Sequence, residues 1–175
     1  MNIIVEPANL EDLDFVRKLA VQSVHHGIPS LRLATREQVE EKTRKLLSNL
    51  PRMIQREYFR LFIARDTDRG IPAGYLMLLL DQVEGSTGEK QALIHDLAVS
   101  EEYRGKYVVD RLMERAEEEA QNAGLSYIVG EISADNRRPL VYAIRRLGYQ
   151  VERYQIVKVL KNSRQDENNH REELQ

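Results

Sequence analysis

The sequence contains no cysteine. Disulfides, thiolate metal sites and a cysteine nucleophile are thereby excluded. Charge of one sign is not in excess either, since 26 Lys and Arg against 28 Asp and Glu leave a formal charge of -2. So even a balance gives no electrostatic ground for nucleic acid or an anionic membrane as a partner, and neither a basic stripe nor an aromatic platform for bases is present. No run approaches the ~18 consecutive apolar residues of a membrane-spanning helix. Residues 1–9 lack the charged-then-apolar layout of a secretory signal. The simplest expectation from these absences is a cytoplasmic protein.

What is there fits one domain. At 175 residues, 42% of them hydrophobic, the chain is long enough to bury roughly two-thirds of its unfolded surface. Residues 3–6 read as a strand ended by Pro7. Asn9 then caps a helix whose Leu13, Val16, Ala20 and Val24 recur at helical spacing, with Glu11 and Asp12 in its positively polarised first turn. Thr35 and Gln38 form a capping box, followed by a stripe of Val39, Thr43, Leu46 and Leu50 and a stop or kink at Pro51. Strands follow at 59–64, 73–80 and 92–99, the second continuously apolar at its end and so expected in the middle of a sheet. Gly85, Ser86, Thr87 and Gly88 mark a hairpin between the last two.

Val109, Leu112, Met113, Ala116, Ala120 and Ala123 then follow the i, i+3, i+4, i+7 rule, and Gly124 stands where a C-cap belongs. Glu114, Glu117, Glu118 and Glu119 read as the solvated face of this helix. A strand at 125–132, a helix at 136–147 with Leu140, Val141, Ile144 and Leu147 inward, and an extended stretch at 149–160 complete the order. The polar run from 161 to 175 reads as a disordered tail beyond a domain spanning 1–160. The fold class is α/β, a mixed sheet covered by helices.

Chemistry concentrates where the strand ending Asp96-Leu97-Ala98-Val99 meets the helix after Arg104-Gly105-Lys106. A helix N-terminus offers unpaired N–H groups and roughly half a positive charge, so the junction suits an anion. A plain strand-to-helix turn with solvated basic residues has the same composition. The surroundings favour the anion, because here the sequence resembles the GNAT superfamily of N-acetyltransferases. Leu97-Ala98-Val99 followed by Tyr103-Arg104-Gly105-Lys106 matches the family's strand and pyrophosphate loop. Asn136, Tyr142 and Gly148-Tyr149 match its second segment, about thirty residues on, with a helix and a strand between. The order of elements agrees over 3–160.

The resemblance implies a mostly antiparallel central sheet flanked by helices, its central strands splayed, and transfer of an acetyl group from acetyl-CoA to an amine by direct attack in a ternary complex. It implies that the pantetheine arm lies along Leu97, Ala98 and Val99, and that the pyrophosphate is held by Arg104, Gly105, Lys106, Tyr107, Val108 and Val109. A backbone N–H near Leu97 would serve as oxyanion donor, and Asn136 would hold the cofactor arm or open the last helix. By the same resemblance the acceptor would be a small-molecule or peptide amine, walled by the helices of residues 10–50. The family often dimerises, which adds a homodimer to the expectations.

Two positions depart from the family's pattern. The later glycines of the loop are replaced by Tyr107 and Val109, whose side chains are expected to crowd the anion, and Asp110 in the first helical turn competes for the positive pole. A non-catalytic module of the same fold, for ligand sensing or protein interaction, is the alternative these departures raise. Tyr142 matches the family's general acid, since a phenol of pKa about 10 can protonate a departing thiolate; packing on a helix flank is its rival role. For the base, His95, Asp96 and Glu131 are all open. His95 and Asp96 should point to opposite faces, and a buried structural histidine is a rival reading of His95. His25 and His26 diverge by about 100° on a helix and have no partner at i+4, so no metal site is expected.

Overall fold

Successive residues of β2 (Phe59–Asp66) and β3 (Ile71–Val83) are buried on both faces, which explains why these runs are continuously apolar. The computed structural model, which describes residues 1–160, places them inside a five-stranded sheet of order β1-β2-β3-β4-β5. Its edges are β1 (Ile3–Pro7) and β5 (Ile128–Gly130), and β4 (Lys90–Val99) lies between β3 and β5. All neighbours are antiparallel except β4 and β5, which run parallel. The sheet is therefore mixed and mostly antiparallel, as expected. Gly74 on β3 lies opposite Val99, and a Cβ there would meet the Ala98 carbonyl oxygen at 2.8 Å. Only glycine permits that close approach of β3 to the end of β4.

One face of the sheet is covered by α1 (Leu13–Ser23), α2 (Arg36–Leu47) and the short α3 (Leu50–Met53). Leu13, Val16, Leu19, Ala20, Leu47 and Leu50 pack there on Phe59, Leu61, Ile63, Tyr75, Met77 and Ala98. The expected caps form. Asn9 Oδ1 accepts from the N–H groups of Glu11 and Asp12, and Thr35 and Gln38 exchange side-chain-to-backbone bonds at 3.3 and 2.9 Å. Leu46, expected inward, is exposed; α2 turns Leu47 to the core instead, which continues the line Val39, Thr43 at i+4 spacing.

The other face is covered by α4 (Val108–Asn122), whose Val108, Leu112, Met113, Ala116 and Ala120 bury against Phe62, Ala64, Ala73, Leu76, Leu78 and Ala92. Its glutamates are not all solvated. Glu119 takes the Arg60 Nε of β2 at 2.6 Å and Arg115 at 3.0 Å, because α4 crosses that strand.

The C-terminal third differs from expectation. α5 (Arg137–Arg146) forms, but none of its residues is buried, and Val141 and Ile144 are exposed. Leu147 and Tyr149 alone carry the chain after it onto the α4-side core. β5 has three residues where eight were expected, and 149–160 joins no strand. The physical reason is shared: β5 has a neighbour only on its β4 side, so nothing in the described chain extends the sheet beneath α5. The tail at 161–175 lies outside the described residues. Among the described residues no helix is long and apolar enough to cross a membrane.

Candidate active site

The site begins with an irregularity in β4. Opposite the single step from Met77 to Leu78, β4 advances two residues, from Asp96 to Ile94, so His95 is bulged out of the ladder. Ile94 and Leu97 both pack on the α4 side, and Ala98 on the α1 side. His95 is exposed and is not a buried structural histidine. Pairing of β4 with β5 ends at Ile94 and Gly130. From His95 to Val99, β4 therefore has no strand on its β5 side, which is the splay expected of the fold.

Asp96, next to the bulge, accepts the Tyr75 hydroxyl at 2.6 Å. Burial pushes its carboxyl above the ordinary carboxylate value, against the pull of the Tyr75 hydroxyl, His95 and the Leu97 N–H. Burial, then the facing Asp96, raises the Tyr75 phenol too. Asp96 is thus a partly shielded carboxylate held against the α1 wall, with its proton affinity raised. Tyr75 escaped the sequence reading, since only the register of β3 on β4 brings it to Asp96.

The loop after β4 is anchored by Tyr103, which is buried and donates to Asp66 at 2.9 Å while accepting from Arg69 at 3.0 Å. Gly105 then takes φ +75°, and Tyr107 takes φ +60° as the N-cap of α4. Tyr107 is the only described residue other than glycine with positive φ. A left-handed tyrosine costs about 1–2 kcal/mol, so the loop keeps the shape of a glycine-rich turn under strain. The N–H groups of Gly105, Tyr107, Val108 and Val109 find no acceptor among the described residues, and they open at the α4 N-terminus. The Tyr107 ring stands outward, with the Arg146 guanidinium 5.7 Å from its centroid. Val109 packs inward on the core, so its side chain does not stand over the loop mouth.

Asp110, in the first turn of α4, receives two donors from α5: the Tyr142 hydroxyl in a short bond and Arg146 Nε at 3.0 Å. Burial raises the Asp110 carboxyl, but Tyr142 and Arg146 together outweigh it and hold the carboxyl below its ordinary value. Burial and the facing Asp110 push the Tyr142 phenol up. Asp110 and Tyr142 were singled out separately in the sequence. Their union was not, nor was Arg146, although it lies one turn from Tyr142.

The remaining candidates are scattered. Asn136 precedes α5 but makes no side-chain cap bond, and Glu131 is exposed after β5. The rings of His25 and His26 lie 4.0 Å apart, and burial, His25 and Arg104 all lower the His26 pKa, so the end of α1 approaches the loop. Asp135 accepts the Ser30 N–H at 2.8 Å, tying the α1–α2 connection to the segment before α5. Among the described residues no three His, Asp or Glu side chains gather as a metal site.

The model of the acetyltransferase (GNAT) family matches residues 25–149. Solved structures with the same fold include a protein from Pyrococcus furiosus assigned as an acetyl transferase, at 21% identity and TM-score 0.73, covering 91% of this chain and 100% of that one. The aminoglycoside acetyltransferase AAC(6')-Iy, in complex with the bisubstrate analogue CoA-S-monomethyl-acetylneamine, aligns at 17% identity and TM-score 0.67 over 93% of this chain and 99% of its own. The aminoglycoside 6'-N-acetyltransferase AAC(6')-Ih of Acinetobacter baumannii aligns at 17% and TM-score 0.64, covering 92% and 99%. At such identities the likeness is one of fold. No curated protein matches this chain in sequence.

Proposed function

Because the chain belongs to the GNAT acetyltransferase family, we propose that it transfers an acetyl group from acetyl-CoA to a primary amine, by direct attack in a ternary complex. The observation that carries this reading is the union of a free-edged β4 with four unpaired N–H groups at the α4 N-terminus. An extended polar arm ending in a pyrophosphate fits such a surface: unpaired strand backbone for the arm, helix-end N–H groups for the anion.

Acetyl-CoA supplies the acyl group as an activated thioester. Leu97, Ala98 and Val99 offer backbone to the pantetheine arm, and a backbone N–H near Leu97 polarises the carbonyl. Arg104, Gly105, Lys106, Tyr107, Val108 and Val109 receive the pyrophosphate. Asn136, free of any capping bond, is available to the arm. Asp96 takes a proton from the acceptor ammonium through water, a role its raised pKa favours; His95, exposed in the bulge, is the second candidate. Tyr142 protonates the departing sulfur. At rest its hydroxyl donates to Asp110, and turning away from Asp110 removes one of the influences that raise the phenol.

Aminoglycoside acetyltransferases among the structural neighbours support a small-molecule amine as acceptor. A cytoplasmic setting suits the cosubstrate and the lack of cysteine. A non-catalytic reading is favoured by one observation, the engagement of Tyr142 with Asp110 in place of an open hydroxyl. An acetylation assay with aminoglycosides, polyamines, lysine and peptide N-termini separates the two. Amine-dependent release of free CoA supports transfer. Binding of acetyl-CoA with no release on any amine supports the module.

A further inference from the structure

Beyond Gly130 the chain leaves the β5 ladder through Glu131 and Ile132, both exposed, and reaches Ser133. Ser133 Oγ is nevertheless buried, and it finds no hydrogen-bond partner among the described residues. Two other buried side-chain atoms share that state, His25 Nδ1 at the end of α1 and the Tyr149 hydroxyl after α5. Ser133 is the one that follows β5 at the splay. A buried hydroxyl without a partner has given up water and gained no bond in return, so in a folded chain it calls for a reason.

The register supplies its position. β4 and β5 run parallel, and their last pair is Ile94 with Gly130. Three residues further along each chain stand Leu97 and Ser133, on opposite sides of the gap. Alternation supplies the face. Ile128 packs on the α4 side, and five residues on in extended chain Ser133 falls to the other side, that of α1 and the acceptor. Asp135 points the same way, since it accepts the Ser30 N–H of the α1–α2 connection at 2.8 Å. The Asn136 N–H donates to the Ser133 carbonyl at 2.9 Å. The Ser133 backbone is thus held in a turn while its hydroxyl is left to rotate. The neighbouring phenols are committed: Tyr75 donates to Asp96 at 2.6 Å and Tyr142 to Asp110.

Resting on the acetyl-transfer reading, we infer that Ser133 is a further catalytic residue. Its hydroxyl donates to the thioester carbonyl oxygen of acetyl-CoA from the β5 side of the gap, facing the backbone N–H near Leu97. As the amine nitrogen bonds to the carbonyl carbon, the π pair moves onto oxygen, and Ser133 holds that oxyanion without giving up its proton. On collapse the pair returns, the C–S bond breaks and sulfur takes the proton of Tyr142. The proton that nitrogen sheds then restores Tyr142. Donors from opposite sides of the gap also fix the orientation of the carbonyl toward the incoming amine.

Acetyl-CoA isotope-labelled at the thioester carbonyl reads the contact without any acceptor. Bound to wild type, its infrared carbonyl band should lie below that of free acetyl-CoA. Bound to Ser133→Ala the band should move back toward the free position, and Ser133→Thr, which keeps the hydroxyl, should restore it. Ser133→Ala should bind desulfo-CoA as wild type does and melt no lower, since it loses only an unpartnered buried hydroxyl. With an amine that releases CoA, its kcat should fall roughly 10²- to 10³-fold at nearly constant KM for both substrates, the worth of one oxyanion donor. A band at the same position in Ser133→Ala and wild type would overturn the role of Ser133 and leave acetyl transfer standing. So would an acetyl group found covalently on Ser133 by mass spectrometry, which makes it a nucleophile. Failure of wild type to bind acetyl-CoA at all would sink the acetyl-transfer reading, and this role with it.

Discussion

α4 and α5 carry comparable apolar stripes, yet α4 buries five residues and α5 none. The difference lies outside both helices. α4 crosses the four strands β1 to β4, whereas α5 follows a three-residue edge strand with no neighbour beyond it among the described residues. An amphipathic pattern states what a helix can bury; the layer beneath decides whether it does. The molecule accordingly has a tightly packed body and a loosely held C-terminal third, tied to α4 by Asp110 with Tyr142 and Arg146. Ligand-handling elements are commonly drawn from such low-stability regions, and the proposed acid lies there.

If chemistry belongs to the loose region and stability to the body, two substitutions should dissociate. Tyr142→Phe should lower turnover by roughly 10²- to 10⁴-fold, with acetyl-CoA affinity nearly constant and stability reduced by about 1 kcal/mol for the lost bond to Asp110. Steady-state kinetics and urea unfolding read both. Turnover within about threefold of wild type would return Tyr142 to a packing role and leave water as the acid. Leu112→Ala, at a position with no exposure, should cost about 2–5 kcal/mol. Ile144→Ala on α5 should cost less than about 1 kcal/mol in the monomer. Equal costs would erase the contrast between the helices.

Two carboxylates sharpen the comparison through pH. Asp96 has a folded pKa above its ordinary 3.8, so its contribution to stability is complete below that value and is lost as pH rises through the folded pKa. Asp96→Asn keeps an acceptor for Tyr75 without the charge, and should be more stable than wild type at pH 7, the gap closing below about pH 4. Asp110 is depressed below 3.8, so its contribution is present above that value and is lost as pH falls through the folded pKa. Asp110→Asn should be the less stable at pH 7, again converging in acid. Thermal melts from pH 3 to 8 check both, and gaps of one sign would refute the assignment.

The smallest effect concerns the loop. Tyr107→Gly relieves a left-handed side chain, a gain of about 1 kcal/mol that glycine's own chain entropy largely offsets. Stability should hardly move, while CoA binding tightens severalfold. Val109→Gly should instead lower stability by more than about 1 kcal/mol, because its side chain packs on the core and glycine weakens the helix. Titration of each variant with CoA distinguishes crowding by Tyr107 from crowding by Val109.

How much of this was legible beforehand follows the range of the interactions. The Asn9 cap and the Thr35–Gln38 box involve neighbours two or three apart, and α4 closes just before Gly124, which takes the left-handed conformation of a helix end. The loop at Arg104 to Val109 was placed by its motif. The bulge at His95 was not, because it arises from pairing with Met77 and Leu78 on another strand. Tyr75 with Asp96, and Asp110 with Tyr142 and Arg146, join residues 21, 32 and 36 positions apart. No local pattern announces such contacts. The stripe on α5 and the extended stretch at 149–160 were read as inward and as a strand, but Val141 and Ile144 are exposed and 149–160 joins no strand, because composition does not supply the layer such residues would cover.

The central claim, a cofactor cradle between the splayed β4 and the start of α4, is tested most directly by calorimetric titration with acetyl-CoA and desulfo-CoA. Saturable binding of both, with nearly equal affinity and weakened by Arg104→Ala, is the result expected when phosphate and pantetheine supply the contacts. No heat of binding and no rise in melting temperature at millimolar acetyl-CoA would contradict it.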